Sequence, residues 1–219
     1  MTTATAGLAT LLVLADGRLP SGGHAHSGGL EAAVAAGRVR EVADVGGFLR
    51  GRLHTTGLVS AAFAASACAR TGKCFDLDRG LDARTPSPAL RRASRAQGRA
   101  LLRAGRAMWE LPAVGREPHH PVALGVLAAA AGLGPLEAAV AAAHGAVSGP
   151  ASAAVRLLGL DPYAVHAVLA GLAPEIDRVA ADAAARTDDP VDDLPAAGAP
   201  LLDIGAELHA TWEVRLFAS

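Results

Sequence analysis

Runs of small apolar residues, broken by single glycines and prolines rather than by strict polar alternation, set the pattern of this chain. That pattern fits helices far better than strands. Leu8 to Ala15 predicts a short first helix, stopped by Asp16-Gly17 and Pro20. A loop of little side-chain bulk follows from Pro20 to Gly29. Ser27 is placed to cap a second helix over 28–36, with Gly37 as its stop. Glu41 to His54 and Thr56 to Arg70 read as a helical pair broken near Gly57, and Asp76 starts a short polar element. Thr85-Pro-Ser-Pro88 opens a long helix to about Trp109, and a loop covers Leu111 to Pro121. Helices are then predicted over 122–132, 135–158 and 162–186, with Gly145, Gly149 and Pro150 kinking or dividing the middle one. Four acidic residues and three prolines make 187–200 a surface loop. A last helix over 201–211 leads into a tail from Trp212 to Ser219.

Composition sharpens this to an all-α fold. The 219 residues are 51% hydrophobic but only 3% aromatic, so the core is built from Ala, Leu and Val. Ala and Leu favour helices, and small side chains let helices approach closely. We expect one domain over 1–219, a bundle of about eight to ten helices. Twenty basic and 21 acidic residues leave a formal charge of −1, so no global field recruits nucleic acid or an anionic membrane. Cys68 and Cys74 match neither a disulfide framework nor a zinc-site spacing. Thr2, Thr3 and Thr5 stand where a secretory leader would carry basic residues. The longest uncharged apolar run, Pro121 to Leu136, is interrupted by glycine and proline and stops at Glu137, as a buried core helix would. A soluble, cytoplasmic protein is the expectation.

The sequence lacks the usual marks of an enzyme. Gly72-Lys73 is followed by Cys74, and Ala67 occupies the position of the first glycine of a phosphate loop. There is no H-E-x-x-H and no G-x-S-x-G. Ser21 or Ser27 with His24 or His26 could be nucleophile and base, but no orienting acid stands at motif spacing. His24, His26 and the pair His119-His120 are the clustered metal ligands, and a stable site needs three or four. His24 and His26 are therefore either structural or interface residues, or transient metal ligands. Arg91, Arg92, Arg95, Arg99, Arg103 and Arg106 fall within an arc of about 120° on the long helix. With no acidic residue interleaved, the stripe predicts docking onto an acidic surface, of this chain or of a partner. Trp212, Leu216 and Phe217 either fold back onto the core or insert into a partner pocket with Arg215 as polar anchor.

These features together resemble one family. Residues 14–31, reading LADGRLPSGGHAHSGGLE, are similar to the N-terminal signature of UreF urease accessory proteins. So are Ala93-Ser-Arg-Ala-Gln-Gly98, His120-Pro-Val-Ala-Leu-Gly125, Ser152-Ala-Ala-Val-Arg156 and Arg215-Leu-Phe-Ala-Ser219, in the same order. The resemblance implies a non-catalytic, all-helical homodimer that binds a UreD/UreH-type scaffold and recruits the UreG-type GTPase for nickel insertion into apo-urease. It implies that nickel and GTP are handled by the complex or partner, with no cofactor bound directly to this chain. It places partner contacts on Pro20, Gly22, Gly23, His26, Ser27, Gly29, Leu30 and Glu31, on Arg95, Gln97 and Gly98, and on Arg215, Leu216, Phe217 and Ser219. Two other readings stay open. One is a helical metal-responsive regulator sensing through His24, His26, His119 and His120; the other is a small helical hydrolase.

Overall fold

The computed structural model describes residues 7–219, and every regular element among them is helical. In chain order these are α1 (Leu8–Ala15), α2 (Leu30–Ala35), α3 (Val42–Arg52), α4 (Leu58–Ala69), α5 (Cys74–Arg84) and α6 (Pro88–Arg106). They continue as α7 (His120–Ala130), α8 (Pro135–Leu158), α9 (Pro162–Gly171), α10 (Ala173–Ala184) and α11 (Pro200–Ala210).

The centre of the bundle is α4. Ala61, Ala62, Phe63, Ala64, Ala65 and Ala67 are fully buried there, and α7, α8 and α10 pack around it. Alanine on every side makes the helix apolar nearly all round, which suits its central position. Close approach follows from the missing side chains. A Cβ on Gly125 of α7 would run into the Ala64 carbonyl, and one on Gly98 of α6 would run into the Pro118 carbonyl. By length and composition α8 could cross a bilayer, but 56% of its apolar window is already buried inside the protein. A smaller cluster of Phe63, Leu77, Leu81, Val122 and Val126 lies under Leu194.

Several expectations are revised. There is no break at Gly57: α3 and α4 run on through a π-helical turn, Leu53–Gly57. The segment 162–186 is two helices, because Pro174 supplies no amide hydrogen at the start of α10 and Leu172 caps both ends. In contrast, α8 is undivided despite Pro150. The acidic segment 187–200 is pinned as well as exposed. Arg84 donates to the carbonyls of Val191, Asp192, Leu194 and Pro195 while its guanidinium lies 5.2 Å from the Phe63 ring centre. Ser87 caps α6, and Glu207 of α11 accepts from both Ser87 Oγ and the Ala89 amide, fixing α11 across the start of α6.

Close packing gives a paired prediction. Gly125→Ala should cost about 1–3 kcal/mol, since backbone of α4 blocks the new methyl. Gly145→Ala, on an exposed turn of α8 with open space around it, should gain roughly 0.5–1 kcal/mol. Urea denaturation of both variants checks the opposite signs.

Candidate functional site

The glycine-rich loop is held by a defect in α8. Pro150 has no amide hydrogen, so the Ala146 carbonyl four residues earlier loses its helical partner. Arg52, from the end of α3, fills that vacancy: its Nε donates to the Ala146 carbonyl and its Nη1 to the Gly28 carbonyl, both at 2.8 Å. Withdrawal from water lowers the Arg52 pKa to about 10, and it stays charged at neutral pH. Gly28 sits at φ 62°, with Pro150 and Arg52 filling the space of a side chain. Gly29, at φ 90°, is closed in the same way by Leu202 of α11. Glycine at these two positions is thus a requirement of both backbone and packing.

The tail folds back onto this loop. The Ser27 amide donates to the Ser219 carbonyl at 2.6 Å, and the Ala218 amide to the Ala25 carbonyl at 2.7 Å. Ser27 Oγ donates to the same Ser219 carbonyl and accepts from the Glu31 amide. His26 Nδ1 and Ser219 Oγ are 2.6 Å apart. Glu31, only 7% exposed, accepts from the amides of Leu216 (2.8 Å) and Phe217 (3.1 Å) and pairs with His209 Nε2 at 2.8 Å. Burial alone would raise the Glu31 carboxyl. The Leu216 amide, His209 and the Phe217 amide outweigh it and hold the group below its ordinary range. Phe217 is buried beneath the Arg156 guanidinium, 4.7 Å from its ring centre. The two readings of the tail are therefore divided between neighbouring residues: Phe217 belongs to the core, whereas Leu216 (65%) and Val214 (86%) face outward with Arg215.

The arginine stripe meets its acidic surface within this chain. Arg95 spans Asp78 at 2.9 Å and Asp82 at 2.7 Å, and also reaches the Glu117 carbonyl; Arg99 pairs with the Glu117 side chain. Behind them His119 is buried. Its amide donates to Asp78, Nε2 faces Asp82 at 2.9 Å, and Nδ1 faces Ser94 Oγ at 3.0 Å. Ser94, His119 and Asp82 mimic a nucleophile, base and acid, but Ser94 Oγ already accepts the His120 amide. The network clamps the 107–119 segment onto α5 and α6. Arg92, Arg103 and Arg106 remain exposed, the last two in the final turn of α6 where they complement the helix dipole.

Of the residues expected to meet partners, Pro20, Gly23 and Arg215 are exposed, while Gly22, Gly29, His26, Gln97 and Ser219 are half-buried. Ser27, Leu30, Glu31, Gly98 and Phe217 are buried. The buried positions are in contact with other parts of this chain. Ser27 is no nucleophile, since its hydroxyl serves Ser219 and Glu31, and His26 faces Ser219 instead. His119 is committed to Asp82 and Ser94, so the four-histidine sensing set is not assembled. Among the described residues no three His, Cys, Asp or Glu side chains converge as a metal site. Sequence reading missed Arg52 and His209. The proline inside α8 was the available signal for Arg52, because an orphaned carbonyl needs a donor.

Arg95→Glu should lower stability by roughly 2–3 kcal/mol, placing a third carboxylate beside Asp78 and Asp82. Arg103→Glu should stay within about 0.5 kcal/mol. Thermal melts of the two variants check this contrast. Acid should weaken the fold by the same chemistry. Burial lowers His119 against the pull of Asp82, and burial with nearby His26 takes His120 from 6.5 to about 4. Asp82, which burial alone would raise, is held below 3.8 by His119 and Arg95. Each group binds fewer protons folded than unfolded: the histidine contribution is present at neutral pH and is lost as pH falls through 6.5 toward 4, and that of Asp82 is lost only below 3.8. A melting series over that range should show a falling midpoint, with a shallower slope in His120→Gln.

Comparison with known proteins places this sequence among relatives. The family model described as UreF matches residues 39–173. A urease accessory protein UreF from Mycobacterium sp. (strain JLS) is 48% identical over 215 residues, covering 97% of this chain and 99% of the relative. The protein of the same name from Mycolicibacterium vanbaalenii is 46% identical over 220 residues, with the same coverage. That from Mycobacterium tuberculosis (strain ATCC 25618 / H37Rv) is 42% identical over 215 residues.

Proposed function

Because this chain belongs to the UreF family of urease accessory proteins, and is an accessory protein rather than an enzyme, we propose that it docks onto a UreD/UreH-type scaffold through its folded-back tail. On this reading the docked pair recruits a UreG-type GTPase, and the assembly inserts nickel into apo-urease. Nickel is cargo of the complex, GTP is handled by the partner, and the working form of this chain is a homodimer.

One observation supports the docking surface most directly. Outward from the loop and tail, α11 presents Leu201, Ile204 and Leu208 at three- and four-residue spacing, all about 60% exposed. Val214 and Leu216 continue the apolar series into the tail, with Arg215 between them. Large apolar groups left in water on rigidly held elements are characteristic of a protein interface. The elements are rigid here because Glu207 ties α11 to α6, and Glu31 ties the tail to α2.

A pull-down with purified scaffold tests the proposal. Leu216→Asp, and Ile204→Asp combined with Leu208→Asp, should weaken scaffold capture by on the order of tenfold or more. Their melting curves should hardly change, since these side chains are already solvent-exposed. Normal capture by both variants would show that the scaffold binds elsewhere.

A further inference from the structure

We propose that Glu31 is a positioning residue whose buried carboxylate, at the start of α2 directly after the glycine-rich loop, latches the tail against that loop, so that loop and tail close and open together as one element. The geometry carries this. Glu31 receives two successive tail amides, Leu216 and Phe217, and His209 from α11. Ser27 makes the second tie, from loop to Ser219, while its hydroxyl also accepts the Glu31 amide. Val214, Arg215 and Leu216 themselves face solvent, so side-chain packing of the tail rests chiefly on Phe217.

Coupling follows from the hydrogen bonds that the two segments share. If the tail left alone, Glu31 would lose its two amide donors, and the Ser27 amide and hydroxyl would lose their Ser219 acceptor. The loop in turn holds the tail through Ser27 and Ala25 backbone groups, so each segment loses hydrogen bonds when the other leaves. His209 faces the carboxylate from α11, Ser27 from the loop and the two amides from the tail; His26 and Arg156 flank the far end of the tail. In combination with the docking surface proposed above, Glu31 then governs scaffold binding without touching the scaffold.

Hydrogen exchange of the full chain, followed by mass spectrometry, reads both segments. Glu31→Gln keeps the shape but offers one acceptor oxygen where two amides and His209 now converge. It should speed exchange in 20–31 and 212–219 together, by roughly tenfold or more, while α4 and α7 stay protected. Ser27→Ala, which removes the second tie, should loosen the same two segments to a smaller degree, and it decides the matter if Glu31→Gln fails to fold. Unchanged exchange in a folded variant, or a tail that loosens while the loop stays protected, would overturn the latch. Scaffold capture is measured on the same samples. Loosened segments with undiminished capture would leave the latch standing and overturn the docking surface instead.

Discussion

A single missing hydrogen, the amide that Pro150 does not have, sets the geometry of the loop-and-tail end of this protein. It leaves the Ala146 carbonyl free in the middle of the longest helix, and Arg52 answers it from α3 while reaching the Gly28 carbonyl with its other arm. Two distant pieces of chain are thereby fixed to one guanidinium carried by a third. Gly28 then lies against the Pro150 ring, Gly29 against Leu202, and the loop is held at a defined height above α8. The tail closes on that platform through Ser27 and Glu31. Remove the platform and the tail amides have nowhere defined to bind.

The rest of the bundle makes such a platform possible. An alanine-rich α4, packed against α7 at Gly125, gives a core with little room for adjustment. Polar clamps hold the periphery: Arg84 over the 191–195 segment, and Arg95 with His119 over the 107–119 segment. Both use charged side chains to satisfy backbone carbonyls and amides that no helix serves. What the molecule displays to its surroundings is accordingly a fixed surface. That suits a protein whose relatives are named as accessory factors.

Helix positions were largely legible from the chain because glycine and proline punctuate it so heavily. The failures are instructive. Gly57 looks like a break, but a π-helical turn absorbs it, because tertiary packing on both sides keeps the rod continuous. Pro150 looks like a divider, but a donor from another helix repairs the ladder. The arginine stripe was read correctly as seeking acid. Its main partners, Asp78 and Asp82, lie on α5, in a segment that sequence shows only as a short polar element. Glu31 and Phe217 stand out in the motifs, yet their burial depends on a contact across 186 residues, which no local pattern encodes.

The central claim is that loop and tail form one preassembled docking surface. It is tested most directly by comparing hydrogen exchange of this chain alone and bound to a UreD/UreH-type scaffold. Added protection should concentrate in 20–31, the outer side of α11 and 212–219. Protection confined to α9, α10 or the exposed arginines of α6, with the tail unchanged, would contradict it.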